Sequence, residues 1–176
     1  MDSYINVRIN GKNLESKKDI EKAILKFDEE LEKYPNEESA IVGKSVLLYK
    51  LEKFDEALNC LNQINDVKHA AILELKAVIF MGLKKYNKSL KLLNEVLKLD
   101  SYNINALFYK SECLFQLKRF EEVVNTANLG LKIDKDHQPI LINKFCSLVE
   151  LNRVNEALEI KDKILKMGII DETLCV

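Results

Sequence analysis

A chain of 176 residues is long enough for one compact domain or one short repeat array, and 47% hydrophobic with 31% charged residues is the composition of a folded chain, not a disordered one. A net charge of -1 lacks the basic surplus of a nucleic-acid surface, so no nucleic-acid partner is expected. With 5 Gly, 2 Pro and no Trp helix breakers are scarce; no apolar run is long enough for a membrane span or a leader, and a soluble, cytoplasmic protein is expected.

The opening stretch SYINVRINGKNLES alternates Ile5, Val7 and Ile9 with polar residues, which is a strand period. Ser16, followed by Asp19, marks a helix start. Further on, one phrase organises the chain. LEKFDEAL at 51–58 returns as LKKYNKSL at 83–90, LKRFEEVV at 117–124 and LNRVNEAL at 151–158, at intervals of 32, 34 and 34 residues. Aligned on this phrase, the chain divides into a weak first unit at 1–37, full units at 38–69, 70–103, 104–137 and 138–170, and a tail at 171–176, in one continuous domain. Each unit holds two stretches of helical period. In AILELKAVIFMGL, Leu73, Ala77, Phe80 and Leu83 form one stripe; in YNKSLKLLNEVLKL, Leu90, Leu93, Val96 and Leu97 form another. The short link between them allows only an antiparallel helical hairpin. Asn36, Asp66 and Asp136 stand where a side-chain oxygen can cap the first helix of a unit, and Pro139 falls in a first turn.

This period, with two helices per unit, resembles the tetratricopeptide repeat family. Its opening apolar residue is matched by Ile41, Leu73, Leu107 and Leu141, and its small residue at the helix crossing by Ser45, Ala77 and Ser111. The next large residue is Leu48, Phe80, Leu114 or Leu148; the small residue of the second helix is Ala57, Ser89 or Ala157, with Val123 slightly larger. In the first unit Gly11, Leu14, Ala23, Phe27 and Pro35 keep the same order, which makes the opening stretch a helix despite its strand period. The resemblance implies an all-α fold, a right-handed α-solenoid of about five antiparallel helical hairpins. Small residues let paired helices approach to about 8–10 Å, and stacking buries the face that one hairpin leaves bare. The last unit departs from the pattern. Phe145 stands in the small-residue column, and Lys161 stands where Phe27, Leu61 and Leu93 precede it. Phe145 should either push the last two helices apart or fill the space that Lys161 leaves.

Catalytic and metal chemistry leave little trace. Cys60, Cys113, Cys146 and Cys175 lie 53, 33 and 29 residues apart, without the close pairs of a zinc or redox site, and read as free thiols in a reducing compartment. His69 and His137 fall in turns between units with no ligand-type residue at a local spacing, and the glycines form no phosphate-cradling cluster. No enzyme activity, cofactor or metal is expected. Lys44, Lys76, Lys110 and Lys144 occupy one column of the first helices. Their position beside the apolar stripe suits stems lying on apolar surface, with ammonium groups reaching water or a carboxylate, better than a rail for acidic ligands.

In an array of this kind the first helices line the concave side. The face opposite Leu73 and Phe80 carries Val42, Val46, Tyr49, Glu74, Val78, Met81, Phe108, Glu112, Phe115, Ile142 and Val149. The resemblance therefore implies a non-catalytic protein–protein interaction scaffold, binding a peptide or an amphipathic helix with basic residues beside its apolar stripe. The basic clamp that some family members use for acidic C-termini has no counterpart on this apolar, mildly acidic face. The alternative is a structural repeat protein that self-assembles. At the C-terminal edge Leu158 and Leu165 lack a following unit, so either the tail GIIDETLCV folds back over them or the edge forms a homodimer. No membrane partner is expected.

Overall fold

The computed structural model describes residues 8–9, 12–13, 16–64 and 69–168. Among these, nine α-helices follow a minimal β-ladder: β1 (Arg8–Ile9), β2 (Lys12–Asn13), α1 (Lys17–Lys33), α2 (Glu38–Lys50), α3 (Phe54–Leu61), α4 (Ala70–Gly82), α5 (Tyr86–Leu99), α6 (Ile104–Gln116), α7 (Phe120–Ile133), α8 (Gln138–Glu150) and α9 (Val154–Lys166). The fold is an all-α helical repeat. The helix implied for the opening stretch is not formed in its described part. β1 and β2 pair antiparallel there, with Arg8 opposite Asn13 and Ile9 opposite Lys12, as the alternating pattern favours. The chain divides into two compact units, Met1–Lys84 and Lys85–Val176.

In the first unit α1 begins as its sequence announces. Ser16 caps it, accepting from the Asp19 backbone N–H at 3.1 Å and donating to the Asp19 carboxylate at 2.6 Å. Ile20 and Ala23 of α1 close on Leu47 of α2. A second core joins Ile41 and Leu48 of α2, Ala57, Cys60 and Leu61 of α3, and Ile72 and Ile79 of α4. The α2–α3 crossing is tight because Ser45 and Ala57 are small; the Ser45 hydroxyl donates to the Ala57 carbonyl at 3.1 Å, so its burial leaves no polar atom stranded. Gly43 permits a second close approach. A Cβ there would lie 2.5 Å from Phe27 Cζ, inside the ring that packs on this turn of α2.

In the second unit, α5 meets α6 where the Cys113 thiol donates to the Ser89 hydroxyl at 3.3 Å. Val123, Val124 and Ala127 of α7 are buried, as are Leu107 and Leu114 of α6 and Ile140, Leu141 and Leu148 of α8. The Phe145 ring packs, half-buried, against Val124, Leu148 and Ala157, while Lys161 is exposed. Cys60 and Cys113 are free and buried, but Cys146 is disulfide-bonded, which corrects the free-thiol expectation at that residue; Cys175 lies outside the described residues.

The recurring octet is the corner of each hairpin. Its second residue, Glu52, Lys84, Lys118 or Asn152, has φ of 59, 55, 57 or 55°. In the corners at 52, 118 and 152 the chain closes a double hydrogen bond. Glu52, Lys118 and Asn152 donate to Tyr49, Phe115 and Val149 at 2.9 Å, and the next residues, Lys53, Arg119 and Arg153, donate to Leu48, Leu114 and Leu148, also at 2.9 Å. These bonds satisfy carbonyls that the ending helix leaves open, and they require a left-handed residue at the C′ position. Only Asn152 adopts that conformation readily; the other side chains carry strain on the order of 1 kcal/mol each. The residue after each left-handed one starts the second helix, and Arg119 and Arg153 there hold Glu122 and Glu156 in two-pronged bonds of 2.6–2.7 Å.

The first-helix caps are displaced by one residue from the expected ones. The cap positions are Glu37 and His137, not Asn36 and Asp136, and Asp66 lies outside the described residues. In the last two turns an aspartate takes the local role first: Asp100 accepts from the Tyr102 N–H at 2.9 Å, and Asp134 from the Asp136 N–H at 3.0 Å. That turn pushes the cap on to Asn103 and His137, whose side chains accept from the Ala106 and Ile140 N–H groups. Pro139 sits in the first turn of α8 as expected.

Candidate functional site

The residues expected to line a concave face are placed on α2 and α4 in the first unit and on α6 and α8 in the second. On α2, Val42, Val46 and Tyr49 are half-buried, Val42 and Tyr49 leaning on the core below. On α4, Glu74 and Met81 are half-buried, but Val78 is buried and offers little surface. A concavity of about 460 Å³ lies between the first turns of α2 and α4, lined by Glu38, Ser39, Val42, Gly43, His69, Ala71 and Ile72. Most of these residues give no signal in sequence, since a first-turn position looks alike whether it borders a hollow or bulk water.

In the second unit Phe108, Glu112 and Phe115 of α6 lie beside Ile142 and Val149 of α8; all are half-buried except the exposed Val149. Both phenylalanines are held in place. The Phe108 ring is 5.1 Å from that of Tyr109 and 6.0 Å from that of His137, and Phe115 meets Phe120 edge-on at 5.5 Å. Tyr49 makes the matching contact with Phe54 in the first unit, at 5.6 Å. Beneath α6 and α8 the Asn143 amide donates to the Ser111 hydroxyl at 3.0 Å, which donates to the Phe108 carbonyl at 2.7 Å. The aromatic contacts hold the rings of the face in fixed positions. Its charge comes from Glu112, which accepts from Gln116 at 3.1 Å, and from the exposed Glu150.

The lysine column behaves as stems on apolar surface. Lys44 reaches Asp28 of α1 at 2.5 Å, and that hydrogen bond raises its pKa despite partial burial. Burial lowers the pKa of Lys76, Lys110 and Lys144, with Glu122 near Lys110 and Glu156 and Glu159 near Lys144 opposing it. All are half-buried in the hairpins, so they form no open rail. Among the described residues no group of three or more His, Cys, Asp or Glu could hold a metal ion, and no helix is long and apolar enough to cross a membrane.

His137 has a structural part with a pH signature. Its Nδ1 accepts from the Ile140 N–H at 3.4 Å, which the neutral ring alone can do. Burial is the largest influence on it and pushes its pKa below the ordinary imidazole value. A base depressed in the folded state binds fewer protons than it does unfolded, so its contribution is full above about pH 6.5 and declines as the pH falls through the lower folded value. Replacing His137 with Asn, a cap that does not titrate, should flatten the stability profile of the chain across that window. Urea titrations at several pH values check this; a parallel profile for both proteins would refute it.

No protein-family model matches the sequence, and no curated protein matches it. Solved structures do resemble the fold. A crystal structure of MamA superposes with a TM-score of 0.77 at 12% identity, covering 85% of this chain and 89% of that one. The MamA RS-1 ArsTM double mutant gives 0.79 at 14% identity, with 86% of each chain covered. YrrB, described as a TPR protein with an unusual peptide-binding site, gives 0.73 at 18% identity, covering 90% of this chain and 82% of that one. At such identities the likeness concerns the fold, and the fold is tetratricopeptide-repeat-like, an all-α helical-repeat solenoid.

Proposed function

We propose that this tetratricopeptide-repeat-like chain is a non-catalytic interaction scaffold that binds an amphipathic helix or extended peptide on the face of its first helices, through apolar side chains flanked by carboxylates. The carrying observation is the α6–α8 face, where Phe108, Phe115 and Ile142 are half-buried and Val149 is exposed, with Glu112 and Glu150 beside them. On α2 and α4 the same role falls to Val42, Val46, Tyr49, Glu74 and Met81, of which Val42 also lines the α2–α4 concavity. The likeness to a protein described by its peptide-binding site supports a binding role of this class. The ligand expected is one with lysine or arginine beside its apolar stripe.

Burying apolar surface yields roughly 25 cal/mol per Å², so a helix covering a few hundred Å² reaches micromolar affinity after its ordering cost. The probes are two synthetic amphipathic helices with the same leucine stripe, one flanked by lysines and one by glutamates. The full chain should prefer the lysine helix. Phe115 is unsuitable for the test because its contact with Phe120 shapes the corner. Glu112→Lys with Val149→Lys, neither of them buried, should weaken the lysine helix at least tenfold, about 1.4 kcal/mol, while helix content stays the same. Equal affinity for both probes, or an unaffected double variant, would sink the reading.

A further inference from the structure

We infer that a disulfide between Cys146 and Cys175 tethers residues 169–176 across the α8 side of the binding face, so that oxidation closes the face and reduction opens it. The bond at Cys146 carries the inference; its effect on binding rests on the function proposed above. Of the 4 cysteines in the chain, Cys60 and Cys113 are free, and Cys146 is disulfide-bonded. The one cysteine left to pair with it is Cys175, outside the described residues. Cys146 stands on the face itself. It follows Glu112 by one repeat, in the column of Val46 and Val78, and lies between Ile142 and Val149 on one side of α8.

The segment is long enough for this. The last turn of α9 returns beside the start of α8, where the Lys163 ammonium meets the Lys135 carbonyl and the Asp136 carboxylate. Gly168, at φ 72°, follows the end of that helix. From Gly168 to Cys175 the chain can reach about 24 Å, and Cys146 lies about 12 Å along α8 from Gln138. A disulfide needs its two Cα atoms within about 7 Å, so the bonded tail competes with a ligand for Ile142 and Val149. Charge opposes the same contact. Asp171 and Glu172 of the tail would face the carboxylates of Glu112 and Glu150, so the covalent bond holds what repulsion releases once it is broken. Cys146 is half-buried and open to small thiols, whereas Cys60 and Cys113 are buried. When the bond forms, each thiol gives up one proton and one electron. A small disulfide such as oxidised glutathione accepts the two electrons and leaves as two thiols, through a mixed disulfide. A dithiol reverses the step.

The test uses the full chain equilibrated with oxidised glutathione or with dithiothreitol. Alkylation after unfolding should find two free thiols in the first sample and four in the second, and peptide mapping should join Cys146 to Cys175. A bond that does not form, or that joins other cysteines, overturns the inference. The lysine-flanked amphipathic helix should bind the oxidised chain at least tenfold more weakly than the reduced one. Cys146→Ser with Cys175→Ser, which cannot close the tether, should bind it alike under both conditions. Hydroxyl-radical labelling of Ile142 and Val149 reads the covering without any ligand, and should fall severalfold in the oxidised parent relative to the double variant. Labelling that falls while neither form binds the helix supports the tether and refutes the binding reading instead. Equal labelling of the oxidised parent and the double variant, or equal affinity of the oxidised and reduced chains for a helix that does bind, overturns the inference.

Discussion

Leu148→Ala should lower the stability of the chain by about 2–5 kcal/mol, the range for a fully buried leucine that leaves a cavity. Leu148 is 0% exposed and sits where α7, α8 and α9 converge, against Val124 and Ala157, with Phe145, Leu151 and Ile160 around them. Its carbonyl also accepts the Arg153 N–H at 2.9 Å, so the side chain anchors the residue that closes the last corner. For a chain of this size the loss amounts to a fall in Tm of about 4–20 °C. Repeat arrays lose cooperativity locally, so amide exchange should rise first in α8 and α9. Leu158→Ala is the control: half exposed on the outer face of α9, it should cost less than about 0.5 kcal/mol. If Leu148→Ala costs no more than Leu158→Ala, the packing of the second unit is wrongly assigned.

The second large effect comes from one repeat column that holds opposite residues in neighbouring hairpins. Ser111→Phe should cost on the order of 3 kcal/mol, because Ser111 is 0% exposed and its hydroxyl joins Asn143 to the Phe108 carbonyl. The reverse change one repeat later, Phe145→Ser, should also destabilise, by about 2–4 kcal/mol, because it empties a space bounded by Val124, Leu148 and Ala157. Chemical denaturation of the two variants measures both costs. A neutral Phe145→Ser would mean that the α8–α9 crossing is as close as the others and that the ring is an excess it can shed.

Tertiary context therefore reverses the preference of a single column. Position 145 reads as a fault in a pattern, and nothing local to it says that the neighbouring side chain will turn to solvent. The corners were legible as corners, since the octet recurs, but their left-handed residues were not. Glu52, Lys84 and Lys118 have no intrinsic liking for positive φ; the antiparallel return of two packed helices imposes it. The cap displacement has a similar cause, because the Asp134 turn uses the Asp136 N–H and moves the cap on to His137. On the interaction face, period alone separates a helix into two sides without saying how deeply the polar side sinks. Val78 and Val46 share a column, yet Val78 is buried and Val46 half-buried.

The helices from α1 onward, their hairpin pairing and the small residues at the crossings follow from the order of residues alone. They rest on local propensity and on a period repeated often enough to outvote exceptions. The strand pairing at Arg8–Ile9 and Lys12–Asn13 also follows the residues' own alternation, against the family register. Burial depth, the concavity between α2 and α4 and the role of His137 are set by the tertiary structure. Each depends on which side chains arrive from other helices, and that distance in sequence carries no local signature.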